Sequence, residues 1–470
     1  MALWPSMAVL LILVVLSCIG EVSSLGERGV LSLRKLQWAQ TGDGRSCFSQ
    51  KSRTQNGATI LEMKHRDYCS GPIRDWEREL QKHLIADDVR VRSIQSQIKN
   101  VVSTQIETQI PISSGVRLQT LNYIVTVALG GRNLTVIVDT GSDLTWVQCQ
   151  PCRLCYSQPE PLFNPFISPS YQSVQCNSQP CHTLQFATGN SGLCGNNAPT
   201  CNYVVTYGDG SYSHGELGSD HLVLGTTPVE NFVFGCGRNN KGLFGAASGL
   251  MGLGRSDLSL ISQTSNVFGG VFSYCLPDSD ATASGSLILG NDTSVYKNTT
   301  PISYTRLVPN PQLSSFYVLN LIGTSVGGVA LSSPSFGKGG ILIDSGTVIT
   351  RLPPSIYEAI KAEFLKQFSG YPPAPSFSIL ETCFNLSAYA EVNIPTLKLW
   401  FEGDGQMSVD VSGMFYIVKR DASQVCLALA SLAYEDEIGI IGNYQQRNTR
   451  VIYDTQQMQV GFAREMCSFS

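Results

Sequence analysis

Two segments of this chain carry the residue types for carboxylate chemistry in the same arrangement. The first is Val136-Ile-Val-Asp139-Thr140-Gly141-Ser142 and the second is Ile341-Leu-Ile-Asp344-Ser345-Gly346-Thr347. Each sets one Asp after three β-favouring apolar residues and follows it with a hydroxyl residue, a Gly and a second hydroxyl residue. A lone Asp before Gly is usually a turn former. Here each Asp continues a strand of Val or Ile, where a buried core is expected, and an isolated buried carboxylate is strongly destabilising. Two carboxyls held close together cannot both ionise, so one keeps its proton. The ionised partner can then take a proton from water while the protonated one polarises or protonates a carbonyl. Gly141 and Gly346 allow tight backbone. Thr140, Ser142, Ser345 and Thr347 can hold carboxylate oxygens.

Such a pair needs a frame that brings residues 139 and 344 together, and the pattern around them supplies one. Tyr123-Ile-Val-Thr-Val-Ala-Leu-Gly-Gly131 alternates and ends in a Gly pair, predicting a hairpin answered by Leu134–Val138. Strands are also predicted at 203–207, 232–234, 316–323 and 341–343. A helix is expected over 353–368, with Ile356, Ile360, Phe364 and Phe368 spaced for packing. The duplication extends further: Gly249-Leu-Met-Gly252 follows the first Asp, and Gly439-Ile-Ile-Gly442 follows the second. The sequence therefore predicts a mainly β fold of two similar lobes, 115–302 and 303–470, each giving half of a site between them. A Cys-rich, loop-like stretch from Cys149 to Cys201 interrupts the first.

The 470 residues, 43% hydrophobic and 14% charged, suit a large globular core and not a disordered chain. Residues 1–24 read as a signal peptide, because the apolar run Met7–Ile19 is too short to span a bilayer and is followed by small residues. Of 15 cysteines, twelve lie between Cys149 and Cys467, an even number that reads as disulfides in a secreted chain. Sequons at Asn133, Asn291, Asn298 and Asn385 agree with that route as glycosylation sites. Residues 25–114 hold 14 Lys/Arg against 10 Asp/Glu, whereas 115–470 hold 18 against 25. A basic leader covering an acidic body is expected. Its helical stretch, Asp75 to about Lys99, sets Trp76, Leu80, Leu84, Val91 and Ile94 near one face, with Glu77, Glu79, Lys82 and Arg90 on the other. It is a removable prosegment or a small helical domain, and its place between a signal and a β body favours the prosegment.

Other chemistries fit less well. Cys149-x-x-Cys152-x-x-Cys155 has spacing for zinc or redox chemistry, but the secretory context disfavours both, so neither metal nor cofactor is expected. Among five His residues only His182, His214 and His221 fall in the body, and there is no Gly-x-Ser-x-Gly elbow for a serine hydrolase. The acidic body disfavours nucleic acid as a partner.

Taken together, Asp139-Thr-Gly-Ser-Asp-Leu-Thr-Trp146, Asp344-Ser-Gly-Thr-Val-Ile-Thr-Arg-Leu-Pro353, Tyr207-Gly-Asp-Gly-Ser211, Phe234-Gly-Cys-Gly237 and Gly249-Leu-Met-Gly-Leu-Gly254 resemble the pepsin-type aspartic proteases. The closer resemblance is to their plant nepenthesin-like branch, which includes relatives named for chloroplast nucleoids. The resemblance covers about residue 116 onward. It implies the bilobal pepsin-like fold and a secreted, acid-favoured aspartic endopeptidase made as a zymogen. Asp139 and Asp344 would be the catalytic pair. Ser142 and Thr347 would bond their outer oxygens, and Thr140 and Ser345 would lock the two turns together. Tyr207, Gly208 and Asp209 would form a mobile flap over substrate, with Trp146 bonding the Tyr; Asp209 departs from the pepsin pattern. The branch also implies disulfides Cys149–Cys152, Cys155–Cys236, Cys176–Cys201, Cys181–Cys194, Cys275–Cys467 and Cys383–Cys426. Protein or peptide substrates, no stable membrane anchor and a monomer are implied. The apoplast is the expected destination, with vacuole or plastid as alternatives. A catalytically silent pepsin-like binding or inhibitor protein is the competing reading, although both Asp turns are intact.

Overall fold

The computed structural model describes residues 26–33, 51–65, 75–102, 123–194, 199–207, 210–242, 244–277, 284–310 and 313–469. The expected signal peptide, the expected leader boundary near 114, Gly208 and Asp209 lie outside these residues.

The chain is mainly β, as its alternating patterns predict. β4 (Tyr123–Leu129) and β5 (Arg132–Asp139) form an antiparallel hairpin, Ile124 opposite Ile137. Gly130 and Gly131 turn it with φ of 53° and 75°, a region that favours Gly. The strand Gly249–Gly252 runs parallel to β5, setting Gly252 beside Asp139. The second lobe repeats the plan: Gly439–Ile441 runs parallel to Ile341–Ile343, pairing Ile343 with Ile441. Each Asp therefore ends a strand sandwiched by a second apolar strand, which is why both are buried, at 1% and 0% exposure. Strands Val271–Cys275 and Thr449–Asp454 pair with one another. A 16-stranded sheet thus runs behind both lobes. The helix Pro354–Gln367 buries Ile356, Ile360 and Phe364, and Phe368 packs at its end, as their spacing predicts.

The described residues before β4 contain more than a helix. β1 (Arg28–Ser32) pairs antiparallel with Glu391–Pro395 on the second lobe. β2 (Ser52–Gln55) and β3 (Ala58–His65) form a hairpin, and β3 lies between Gly285–Leu289 and the start of β4. Ile60, Leu61 and Met63 are fully buried there. A polar, charged composition hid these strands, because their few apolar residues, Val30, Leu31, Ile60, Leu61 and Met63, are scattered among polar and charged ones. The expected helix is present as α1 (Trp76–Val102).

The Cys-rich stretch also differs from expectation. It contains a helix, Gln179–Thr188, started by Pro180 and stopped at Gly189 with φ of 74°. Four of the six implied disulfides are paired otherwise. The bonds present are Cys149–Cys236, Cys152–Cys155, Cys176–Cys194 and Cys181–Cys201, in place of Cys149–Cys152, Cys155–Cys236, Cys176–Cys201 and Cys181–Cys194. Strand register gives the reason. β6 (Trp146–Gln148) runs parallel to the strand holding Cys236, and Cys149 N–H donates to Gly237 O, so the two Cα atoms lie 5.3 Å apart. Cys152 and Cys155 are left to close their own turn. Cys181, on the buried side of the helix, meets the fully buried Cys201, while the more exposed Cys176 and Cys194 pair outside them. Cys275–Cys467 and Cys383–Cys426 form as implied.

Candidate active site

The two Asp turns meet back to back. Thr140 N–H donates to Ser345 Oγ at 3.1 Å, and Ser345 N–H donates to Thr140 Oγ1 at 2.9 Å. This reciprocal clasp between residues 205 apart fixes the two lobes' turns against one another. On the other side of each turn the carboxylates are held alike. Asp139 Oδ1 accepts from Gly141 N–H at 3.0 Å, and its Oδ2 accepts from Ser142 Oγ at 2.8 Å. Asp344 Oδ1 accepts from Gly346 N–H at 2.9 Å, and its Oδ2 accepts from Thr347 Oγ1 at 2.6 Å. A Cβ on Gly141 would lie 2.8 Å from Asp344 Oδ1, and one on Gly346 would overlap Asp139 Oδ1. Glycine is therefore needed for the close approach of the two carboxylates.

A shell behind the turns keeps this geometry. Gln446 Nε2 donates to Asp344 O at 3.3 Å, and Asn443 Nδ2 donates to Ser345 O at 2.9 Å. Leu253 N–H donates to Asp139 O at 2.9 Å. Asp143, four residues after Asp139, is also buried; desolvation pushes its carboxyl up to about 6, against the pull of hydrogen bonds that include Ser256 N–H.

Tyr207 ends the strand Cys201–Thr206, and its hydroxyl accepts from Trp146 Nε1 at 2.7 Å. Phe244 packs edge-on against both rings. Burial raises the Tyr207 pKa well above its usual value, so this hydroxyl stays protonated. Tyr207 and Trp146 are thus together beside the site. All four sequon asparagines are exposed.

The site holds one group that the helical pattern assigned to the outer face. Arg90 of α1 does not face solvent; it reaches between the two carboxylates. Its Nη2 lies 3.0 Å from Asp139 Oδ1 and 3.0 Å from Asp344 Oδ2, and its Nε donates to Asp344 Oδ2 at 3.2 Å. Burial disfavours the guanidinium charge, but the two carboxylates outweigh it and raise its pKa above the ordinary value. α1 turns a wide face inward. Leu80 and Leu84 pack with Val348, Ile349, Leu380 and Tyr416, and Val91 and Ile94 pack with Val318, Leu342 and Ile440. Gln95 exchanges two hydrogen bonds with the backbone of Ile438, at 2.7 and 3.1 Å. Asp87, fully buried, accepts from Val348 N–H at 2.6 Å and Ile349 N–H at 3.1 Å, and pairs with Arg351 at 3.0 Å. Arg90, Asp87 and Arg351 were missed as site residues. The available signal was Asp87, one charge interrupting the apolar stripe of Leu80, Leu84, Val91 and Ile94.

No group of His, Cys, Asp and Glu among the described residues has the arrangement of a metal site, and no helix among them is long and apolar enough to cross a membrane. The arrangement that does exist is a pair of buried, hydroxyl-braced carboxylates able to share a proton across a two-lobe junction.

Comparison with known proteins agrees. Residues 123–291 match a family described as xylanase inhibitor N-terminal, and residues 316–464 match its C-terminal counterpart. The chain is 44% identical to an aspartyl protease family protein of Arabidopsis thaliana over 88% of this chain and 89% of that one. It is 35% identical to the aspartic proteinase nepenthesin-2 of Nepenthes gracilis, over 81% of this chain and 84% of that one. In fold it is similar to the basic 7S globulin from soybean, with a TM-score of 0.57 at 21% identity, covering 73% of this chain and 92% of that one. These similarities show that the chain belongs to the plant pepsin-like aspartic protease family and is an aspartic-type endopeptidase acting on proteins or peptides.

Proposed function

We propose that the protein is a secreted, acid-favoured aspartic endopeptidase made as a zymogen, with Asp139 and Asp344 as its catalytic pair and residues 25–114 as its inhibitory prosegment. In the open site one carboxyl is ionised and the other protonated. The ionised one takes a proton from a water, whose oxygen attacks the peptide carbonyl carbon. The protonated one gives its proton to the carbonyl oxygen, and the resulting tetrahedral diol collapses as the leaving nitrogen is protonated. Ser142 and Thr347 orient the outer oxygens throughout. Tyr207 and Trp146 anchor the base of a flap that closes over substrate.

The single observation that carries the zymogen reading is the Arg90 guanidinium between the two carboxylates. Its single positive charge pairs with both carboxylates and occupies the place where water and a peptide carbonyl must meet. Protonating either carboxylate removes part of the charge that holds it. The signal-like residues 1–24, four exposed sequons and six disulfides among the described residues support the secretory route. The apoplast follows from that route; the acidic body and the enclosed site support a monomer that binds no nucleic acid.

The test is to acidify the purified full-length protein, follow loss of the leader by mass spectrometry, and assay cleavage of a denatured protein. Pepstatin-sensitive cleavage is expected after processing, and Asp139→Asn should abolish it. Pepstatin-insensitive cleavage that survives the substitution would sink the assignment. A fully processed protein with no activity would point instead to a pepsin-like binding protein.

A further inference from the structure

We propose that the backbone N–H groups of Val348 and Ile349, together with the Arg351 guanidinium, form a carboxylate-binding subsite in the open cleft that selects substrates bearing an Asp or Glu side chain near the cut bond. The inference rests on the reading that α1 leaves the cleft on activation.

In the closed protein Asp87 fills this cradle. Its two oxygens accept from consecutive backbone N–H groups at 2.6 and 3.1 Å, and Arg351 Nη2 lies 3.0 Å away. Two backbone donors and one ion-pairing guanidinium thus converge on one carboxylate. The cradle is prebuilt: Arg351 is 2% exposed, and its Nη1 donates to Ile349 O at 2.9 Å, fixing the guanidinium plane. It is built from the segment that follows Asp344, on one continuous turn and strand.

Departure of α1 removes Arg351's ion-pair partner and strips two backbone donors of their acceptor. Water reaches the cradle once α1 has left, which relieves the desolvation that opposes charge on Asp87 and leaves the guanidinium and two N–H donors for a charged acceptor. A carboxylate presented by substrate restores all three contacts. An amide of the same shape supplies one oxygen acceptor and directs an NH2 group at donors, so Gln and Asn fit poorly. The location follows from α1 itself. Asp87 and Arg90 are three residues apart, about one helical turn of roughly 5 Å. An extended peptide rises about 3.3 Å per residue, so the acidic side chain belongs about one or two residues from the cut bond. Val348, Ile349, Leu380 and Tyr416, freed of Leu80 and Leu84, give the acidic residue an apolar neighbour.

The test uses the acid-processed enzyme, with loss of α1 verified by mass spectrometry. Peptides differing only in Glu against Gln are compared at each position up to about four residues from the cut, at about pH 5, where a free Glu is ionised. One position is expected at which Glu outperforms Gln about tenfold in kcat/KM, as loss of a charged hydrogen bond implies. In Arg351→Gln that ratio should fall close to one, and Arg351→Lys should restore it in part, since an ammonium keeps the charge but not the planar fork. Equal rates for Glu and Gln at every position in the wild-type enzyme overturn the proposal without any variant. An unchanged ratio in Arg351→Gln overturns the assignment to this cradle. Active protein that keeps α1 bound would refute the zymogen reading, and this inference with it.

Discussion

Arg90→Ala in the full-length protein isolates the contact that closes the site. Wild-type Arg90 bonds both carboxylates at 3.0 Å with only 14% of its side chain exposed. Removing one partner of a buried ion pair typically costs about 3–5 kcal/mol. Here part of that loss is recovered, because Asp139 and Asp344 can share a proton once the cation is gone. A net weakening of α1 docking by about 3 kcal/mol raises the open fraction about a hundredfold. The helix keeps Asp87, Gln95 and its apolar face, so it loosens without unfolding. The assay is pepstatin binding and peptide hydrolysis by uncut protein near pH 6, with gels confirming that the leader is intact. The wild type should be inert there, and Arg90→Ala should bind pepstatin and turn over peptide. Self-processing of the variant should begin at a higher pH than that of the wild type. If uncut Arg90→Ala is as silent as wild type, α1 blocks the cleft by bulk alone and the charge argument fails. If uncut wild type is equally active, the helix is no inhibitor.

Two further outcomes follow from buried groups. Asp143 is raised from 3.8 to about 6 by burial, so its neutral form contributes stability that is complete below about pH 4 and lost as pH rises through 6. A shift of about two units corresponds to about 3 kcal/mol; Asp143→Asn, which cannot ionise and keeps the Ser256 acceptor, should gain about that much on wild type between pH 4 and 7 in urea unfolding, and parallel pH curves would refute it. Met63 on β3 is fully buried, so Met63→Ala should destabilise the full-length protein by about 2–5 kcal/mol in the same measurement; a change under about 0.5 kcal/mol would show that this strand is not integral to the sheet.

The chemistry was more legible in the sequence than the device that restrains it. The Asp turns could be read because each needs a fixed local order of apolar strand, Asp, hydroxyl and Gly, and the order occurs twice. The Tyr207–Trp146 pair was implied only by the family resemblance; residue types and spacing alone leave Trp146 as a core aromatic. Arg90 could not: helical spacing sorts residues by polarity, and a charge aimed at a buried counter-charge looks the same as one aimed at water. Asp87 broke the apolar stripe of Leu80, Leu84, Val91 and Ile94, but only the fold reveals Arg351 and two open N–H groups opposite it. The disulfides failed for a related reason. Spacing between Cys149, Cys152 and Cys155 is compatible with several pairings, and the choice is made by parallel registry with the strand holding Cys236, 87 residues away.

The two charges on α1 respond to acid in opposite senses, which orders the release of the helix. Arg90 pairs with two carboxylates, and an ion pair weakens when a carboxylate takes up a proton. Asp87 is pushed upward chiefly by burial, partly countered by Arg351 and the two N–H donors. A raised value in the docked state means that proton uptake favours docking, so this contact is retained as pH falls. On the proposed zymogen reading, acid therefore loosens the Arg90 contact first, while Asp87, Leu80 and Leu84 still hold the preceding turns of α1. Water and a peptide bond can then reach the carboxylates before the leader is lost. Acidification on this view opens the site, and cleavage makes the opening permanent. Locking the Asp87 end should consequently leave acid-induced pepstatin binding intact while slowing loss of the leader.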